Sequence, residues 1–70
     1  MDYTVVIEKA DDGSFSVYVP DLPGCISTGD SQSEALSNIQ DAIRGHIETL
    51  KQFGEPIPPK RSTAAVVHAA

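Results

Sequence analysis

The sequence lacks the residues with which small proteins reinforce a fold or build a metal centre. Its 70 residues contain one cysteine and two histidines. An internal disulfide therefore cannot form, and no cluster of Cys and His has zinc-ligand spacing. A chain of this length buries only about 60% of the surface that its unfolded form exposes. Since nothing staples the fold, we expect association with another chain to add stability.

Positive charge is scarce as well. Five Lys and Arg residues stand against ten Asp and Glu, which gives a net charge of −5. Binding to nucleic-acid phosphates needs clustered positive charge, so we expect no direct nucleic-acid binding. Acidity suits a basic protein partner, although it also serves solubility alone. The sequence has no signal-peptide pattern and no apolar run of transmembrane length, so we expect a soluble cytoplasmic protein without membrane contact.

The first thirty residues show the two-residue periodicity of β-strands. Residues 3–9 and 14–19 alternate in this way, and residues 10–13 between them supply the Asp and Gly of a tight hairpin. Pro20 ends the second run because it fixes φ and has no N–H for a ladder. Residues 25–28 have the composition of a short third strand. The pattern predicts a three-stranded antiparallel meander.

An amphipathic helix is predicted after the strands. Ser31 and Glu34 have the spacing of a capping box, and Asp30 adds negative charge where the helix dipole favours it. Gly54 has the position of a C-terminal cap. Gly45 lies off the apolar stripe, so we predict an exposed and merely tolerated glycine rather than a close backbone contact. The stripe itself consists of Leu36, Ile39, Ile43, Ile47 and Leu50.

The predicted order is β-β-β-α, with a fourth strand as an option. One helix on one face of an antiparallel sheet makes a two-layer α+β domain. We place this domain at residues 1–59 and a C-terminal tail at residues 60–70. Val66 and Val67 are the only β-forming residues of the tail. The tail is therefore either an edge strand, which we prefer, or a frayed end.

No arrangement of residues indicates catalysis. Cys25 is better explained as a small buried apolar residue than as a nucleophile, and His46 borders the apolar stripe of the helix. The carboxylates of Asp11, Asp12 and Asp30 have structural explanations in a hairpin and at a helix start. We therefore predict a protein that is not an enzyme and that uses neither a metal nor a cofactor. Its surface is then the place where function must lie.

With these motifs in place, the chain resembles the HicB-like antitoxin family of bacterial and archaeal toxin–antitoxin modules. The resemblance implies a β-β-β-α-β domain, likened to a partial RNase H fold without that enzyme's catalytic carboxylates. The motifs that carry it are YTVVIEK at 3–9, the hairpin residues Asp12 and Gly13, VPDLPGC at 19–25, TGDSQSEALSNIQDAI at 28–43 and GEPIP at 54–58.

The resemblance also implies a partner. It implies that the chain neutralises a HicA-type toxin, a small basic mRNA interferase with a double-stranded-RNA-binding-like fold and a catalytic His. The antitoxin would cover the RNA-binding and catalytic surface of that toxin and act as an RNase inhibitor. Acidic side chains would pair with the toxin's Lys and Arg. The candidate contacts are Asp11, Asp12, Asp21 and Asp30.

Relatives in this family form dimers and tetramers, which implies a homo-oligomer. Many members carry a C-terminal DNA-binding domain, but only about a dozen residues follow GEPIP here. We therefore expect no direct DNA binding. Two other functions stay open: an orphan self-assembling regulatory or scaffold module without a toxin, and a metal-dependent nuclease built on the RNase H-like scaffold.

The stretch PDLPGC at residues 20–25 has two interpretations. Two prolines and a glycine make it a rigid strand-to-strand turn, which we favour. Such a rigid turn would also lose little entropy on contacting a partner, with Asp21 at its exposed tip.

Overall fold

The computed structural model describes residues 2–70 and shows three strands followed by one helix. Strand β1 spans Val6–Lys9, β2 spans Phe15–Tyr18 and β3 spans Ile26–Gly29, while helix α1 spans Gln32–Gln52. The strands form one antiparallel sheet in the order β1-β2-β3. The helix packs against β3 and β2. The predicted two-layer α+β fold is therefore confirmed.

Strand β1 is shorter than the periodicity predicted, because a strand needs a partner along its whole length. The last ladder pair joins Val6 to Tyr18. Continued by two residues, this register would place Thr4 opposite Pro20, which has no N–H to donate. Residues 3–5 are consequently extended in composition but lie outside the ladder.

The core is small and lies between the sheet and the helix. It draws on the strands, on the turn after β2 and on the first half of α1. The helix approaches the sheet closely at Gly29, where a Cβ atom would lie 2.4 Å from the backbone nitrogen of Ala35. The buried side chains are Val17, Val19, Leu22, Cys25, Ala35 and Ile39.

Both ends of α1 follow the predicted capping chemistry. The Glu34 amide donates to the Ser31 hydroxyl oxygen at 3.1 Å. The Glu34 carboxylate in turn accepts from the amide of Asp30 at 3.1 Å, one residue earlier than the usual capping box would place it. At the other end Gly54 adopts a φ of 67° and donates to the Lys51 carbonyl. Gly45 is exposed, as predicted, and a Cβ built on it would have no atom within 4 Å other than the surrounding helix backbone.

The tail differs from the preferred prediction. Among the described residues, 55–70 form neither helix nor strand, so the expected edge strand at residues 60–70 is not formed within the single chain. The Val66 side chain is 101% exposed and that of Val67 is 85% exposed. The physical reason is that hydrogen bonds hold the chain up to Ser62 against the body, while residues 63–70 project from it.

Candidate protein-binding surface

The four acidic residues expected at a partner interface lie at two opposite ends of the sheet. The last residue of β1, the first of β2 and the last of β3 are aligned in register. The β1–β2 hairpin with Asp11 and Asp12 therefore shares one end with the β3–α1 junction and Asp30. We call this the hairpin end. Asp21 follows β2 and lies at the other end. The topology thus groups three of the four carboxylates and separates the fourth.

The hairpin end carries exposed carboxylates, and hydrogen bonds hold one of them in place. The Asp12 carboxylate accepts from the Ser14 amide at 2.9 Å and from the Ser14 hydroxyl at 2.6 Å. The bond from the Ser14 hydroxyl, with help from the amide, lowers the pKa of Asp12 below its ordinary value. Asp11 and Asp30 are exposed beside this turn. The arrangement suits contact with cationic side chains of another protein.

The Asp21 carboxylate is engaged in hydrogen bonds within its own chain. Its carboxylate accepts three hydrogen bonds, from the amides of Arg61 and Ser62 at 2.8 and 2.9 Å and from the Ser62 hydroxyl at 2.8 Å. The Ser62 amide contributes most, and the Arg61 amide next, to lowering the pKa of Asp21. The residue is partly buried rather than at an exposed tip. Its oxygens fix the C-terminal segment, and a contact between Asp21 and a partner stays a prediction.

The turn at residues 20–25 has a structural role, because its backbone is hydrogen-bonded and two of its side chains are buried. The Leu22 amide donates to the Val19 carbonyl at 3.1 Å, and the Cys25 amide donates to the Leu22 carbonyl at 3.0 Å. Leu22 is fully buried and Cys25 is 4% exposed. Burial raises the pKa of the Cys25 thiol, which keeps it protonated and unreactive. Gly24 supplies the positive φ of 83° that the turn requires.

A proline-rich segment, residues 55–62, runs back along the body, and we call it the strap. The Tyr3 hydroxyl donates to the Pro58 carbonyl, and the Thr4 hydroxyl donates to the Ser62 carbonyl at 2.7 Å. With the bonds from Asp21, these contacts fasten the strap to the segment before β1 and to the turn after β2. Its end therefore lies on the β1 side of the domain.

One face of the sheet is left open, because α1 covers only the other. Val6, Tyr18 and Ile26 are register partners across the three strands. Since neighbouring Val17 is buried against the helix side, these three side chains point to the open face. Tyr18 is 40% exposed and Ile26 is 63% exposed. We call this set the apolar row.

A polar row of Glu8, Ser16 and Thr28 runs beside the apolar row, toward the hairpin end. The alternation of serines with apolar residues in β2 by itself indicates only a face turned to water. The apolar row depends on the register of all three strands, which no single run of sequence reveals. An exposed aromatic residue next to an exposed Ile, bordered by polar and acidic groups, is typical of a protein-binding face.

Among residues 2–70, no group of three or more His, Cys, Asp or Glu side chains is placed to hold a metal ion. Within the same range, α1 does not have the length and apolar character of a membrane-spanning helix.

Sequence comparisons point to one family. The profile described as the HicB-like antitoxin of bacterial toxin–antitoxin systems matches residues 3–70. The UPF0150 protein Ta0767 of Thermoplasma acidophilum is 49% identical over 69 residues, which are 99% of this chain and 100% of that protein. Antitoxin HicB 1 of Photorhabdus laumondii is 34% identical over 58 residues, which are 83% of this chain and 37% of the longer protein.

Solved structures agree with the sequence matches. The N-terminal domain of Burkholderia pseudomallei antitoxin HicB has a TM-score of 0.80 at 38% identity, over 90% of this chain and 74% of that chain. A chain of the HicA3 and HicB3 toxin–antitoxin complex has a TM-score of 0.72 at 34% identity, over 86% of this chain and 70% of that chain.

Proposed function

This chain belongs to the HicB-like antitoxin family of toxin–antitoxin systems, and from that membership we propose that it neutralises a HicA-type mRNA interferase. The antitoxin would bind over the RNA-binding and catalytic surface of the toxin. The observation that carries the proposal is the open sheet face. It combines an exposed apolar row with a negatively charged end, and the chain shares its fold with a component of a complex between HicA3 and HicB3.

The apolar row would supply the centre of the interface. Tyr18 and Ile26 are adjacent on a sheet that hydrogen bonds already hold in shape, so little order has to be gained on binding. Aromatic residues at the centre of an interface commonly carry 2 kcal/mol or more of the binding free energy when water is excluded around them. The row therefore predicts where substitutions will weaken binding most.

The carboxylates at the hairpin end would orient the toxin and raise the rate at which the two proteins associate. An RNA-binding surface is rich in Lys and Arg, which are complementary to a chain whose net charge is −5. Asp11, Asp12 and Asp30 lie at the end of the sheet to which the polar row leads. Complementary charge mainly raises the association rate and makes it sensitive to salt.

We propose that inhibition is stoichiometric and needs no chemistry by the antitoxin. The Asp12 and Asp21 carboxylates are occupied by hydrogen bonds within the chain, and the Cys25 thiol is buried and protonated. Inhibition would take place in the cytoplasm, where the toxin meets its mRNA. Occupying the cationic face of the toxin is sufficient, because RNA then has no access to it.

The test pairs this chain with the product of a neighbouring basic reading frame of HicA type. RNA cleavage is measured while the chain is titrated against the toxin, and we expect cleavage to stop at a fixed molar ratio. Tyr18→Ala should weaken the complex roughly 30-fold, the equivalent of about 2 kcal/mol. Ile26→Asp should weaken it as well. Ser37→Asp, which adds the same charge on the exposed surface of α1, is the matched control.

Two results would count against the proposal. Unchanged cleavage together with no complex would reject the antitoxin function toward a HicA-type toxin. Full inhibition by Tyr18→Ala and Ile26→Asp, with the folds intact by circular dichroism, would show that the toxin binds elsewhere than the open face.

A further inference from the structure

We propose that two copies of this chain exchange their tails. Residues 63–70 of each copy would add as a strand to the free edge of β1 in the other copy. This inference goes beyond toxin binding and does not depend on it.

The tail has the composition of a β-strand, but in the single chain it pairs with no other strand. Val66 and Val67 are β-branched and almost wholly exposed, and residues 63–70 carry no Asp, Glu, Lys or Arg. The chain has a radius of gyration of 13.5 Å. A compact domain of this length would have about 11 Å. The tail therefore projects into solvent, where its apolar side chains gain nothing, and burial would stabilise it.

Strand β1 offers an acceptor for such a strand. In the sheet of residues 2–70, β1 pairs only with β2. The bond from the Ala10 amide to the Ser14 carbonyl, at 2.8 Å, sets the alternation of the ladder. The N–H groups of Ile7 and Lys9 consequently face away from β2. A strand laid along this edge would bond to both of these residues.

A groove lies beside the segment that precedes β1. It has a volume of about 810 Å³ and separates the segment before β1 from the second half of α1. Ile43 and Ile47 line it from the helix, and Tyr3 lines it from the segment. Ile43 packs partly against the core, and Ile47 is half-buried beside it along the helix. A strand added beside β1 would place a valine of the tail against Ile43 and Ile47.

The position of the strap favours a second copy of the chain as the acceptor of the tail. Asp21 and Thr4 bind Ser62 and so fix the direction in which the tail leaves the body. Pro56, Pro58 and Pro59 stiffen the segment before it. In this structure residues 63–70 form no strand on the chain's own sheet, and Val66 and Val67 stay exposed. The root of the tail and the β1 edge lie on the same side, so one two-fold axis there would let each tail reach the other copy's edge.

Light scattering and amide exchange on the full chain, without any toxin, test the proposal. We expect a particle of twice the chain mass, with slow exchange at the amides of Ile7 and Lys9. Combined Val66→Asp and Val67→Asp should give a monomer and speed exchange at both amides at least tenfold. Combined Val66→Ile and Val67→Ile should keep the dimer. Ser33→Asp with Ser37→Asp, which adds the same charge on α1, should also keep it.

Three outcomes would overturn the exchange. The first is a monomer at every concentration with fast exchange at both amides. The second is a dimer that the two aspartates leave intact. The third is a monomer in which Ile7 and Lys9 are protected, because the tail would then pair with its own β1. Toxin inhibition by the aspartate variant is measured in parallel, and its retention shows that failure of one proposal does not entail failure of the other.

Discussion

Substitution of glycine by alanine should change the stability of the fold in opposite directions at two positions. At Gly29 a Cβ atom would lie 2.4 Å from the nitrogen and 2.9 Å from the Cα of Ala35, both backbone atoms of α1. At Gly45, inside the helix, no atom other than the surrounding helix backbone lies within 4 Å of the added Cβ. Neither glycine has a positive φ. The comparison therefore isolates steric overlap at one position and helix propensity at the other.

The magnitudes follow from these contacts. Relieving an overlap with helix backbone requires a shift of β3 or α1, and such overpacking typically costs about 1–3 kcal/mol. Gly45→Ala should gain about 0.8–1 kcal/mol from helix propensity. The whole domain is stable by roughly 4–10 kcal/mol, so Gly29→Ala removes a large share. Each kcal/mol moves the Tm of a domain this small by roughly 4–8 °C.

Urea and thermal unfolding, followed by circular dichroism at 222 nm and at one protein concentration, measure both changes. We expect a lower midpoint for Gly29→Ala and a higher one for Gly45→Ala. Should Gly29→Ala not fold, it can be measured in the Gly45→Ala background. A Gly29→Ala midpoint at or above that of the parent chain would refute the close approach of helix and sheet.

Three further predictions concern buried or hydrogen-bonded groups. Asp21→Ala should speed tryptic cleavage after Arg61 several-fold, because it removes the acceptors that hold the strap, whereas Asp11→Ala, which removes the same charge at the other end, should not. Hydrogen bonds lower the pKa of Asp21. Protection of the Ser62 amide against hydrogen exchange should therefore be complete above about pH 4 and lost as the pH falls through that lowered pKa. Protection that does not depend on pH would contradict this. Cys25 should react slowly with a thiol reagent in the folded chain and rapidly in urea, and equal rates would contradict its burial.

Local chemistry explains why the helix could be placed from sequence. Ser31 and Glu34 satisfy the first amides within one turn, and Gly54 ends the helix with its own backbone conformation. Each of these signals depends on neighbours three or four residues away. The ends of the strands were harder to predict, because the length of β1 is set by Pro20 on the partner strand rather than by residues 3–5 themselves.

The candidate surfaces depend on contacts that sequence patterns do not encode. Asp21 bonds to residues 40 and 41 positions later. Its chemistry resembles that of any exposed turn aspartate, so nothing in its neighbourhood indicates the strap. The apolar row likewise joins Val6, Tyr18 and Ile26 from three strands. An error of one residue in either register would have turned part of that row to the core.

The two proposed interfaces use different parts of the molecule, and this separation has a consequence for assembly. Toxin binding is assigned to the open face, centred on Tyr18, whereas tail exchange is assigned to the β1 edge and the groove under α1. A dimer built by exchange would leave both open faces accessible, so it would bind two toxins. Tyr18→Ala would then weaken toxin binding without altering the dimer, and the aspartates at Val66 and Val67 would do the reverse. If either substitution changed both properties, the two surfaces would be coupled, and the apolar row would have to contribute to the contact between copies.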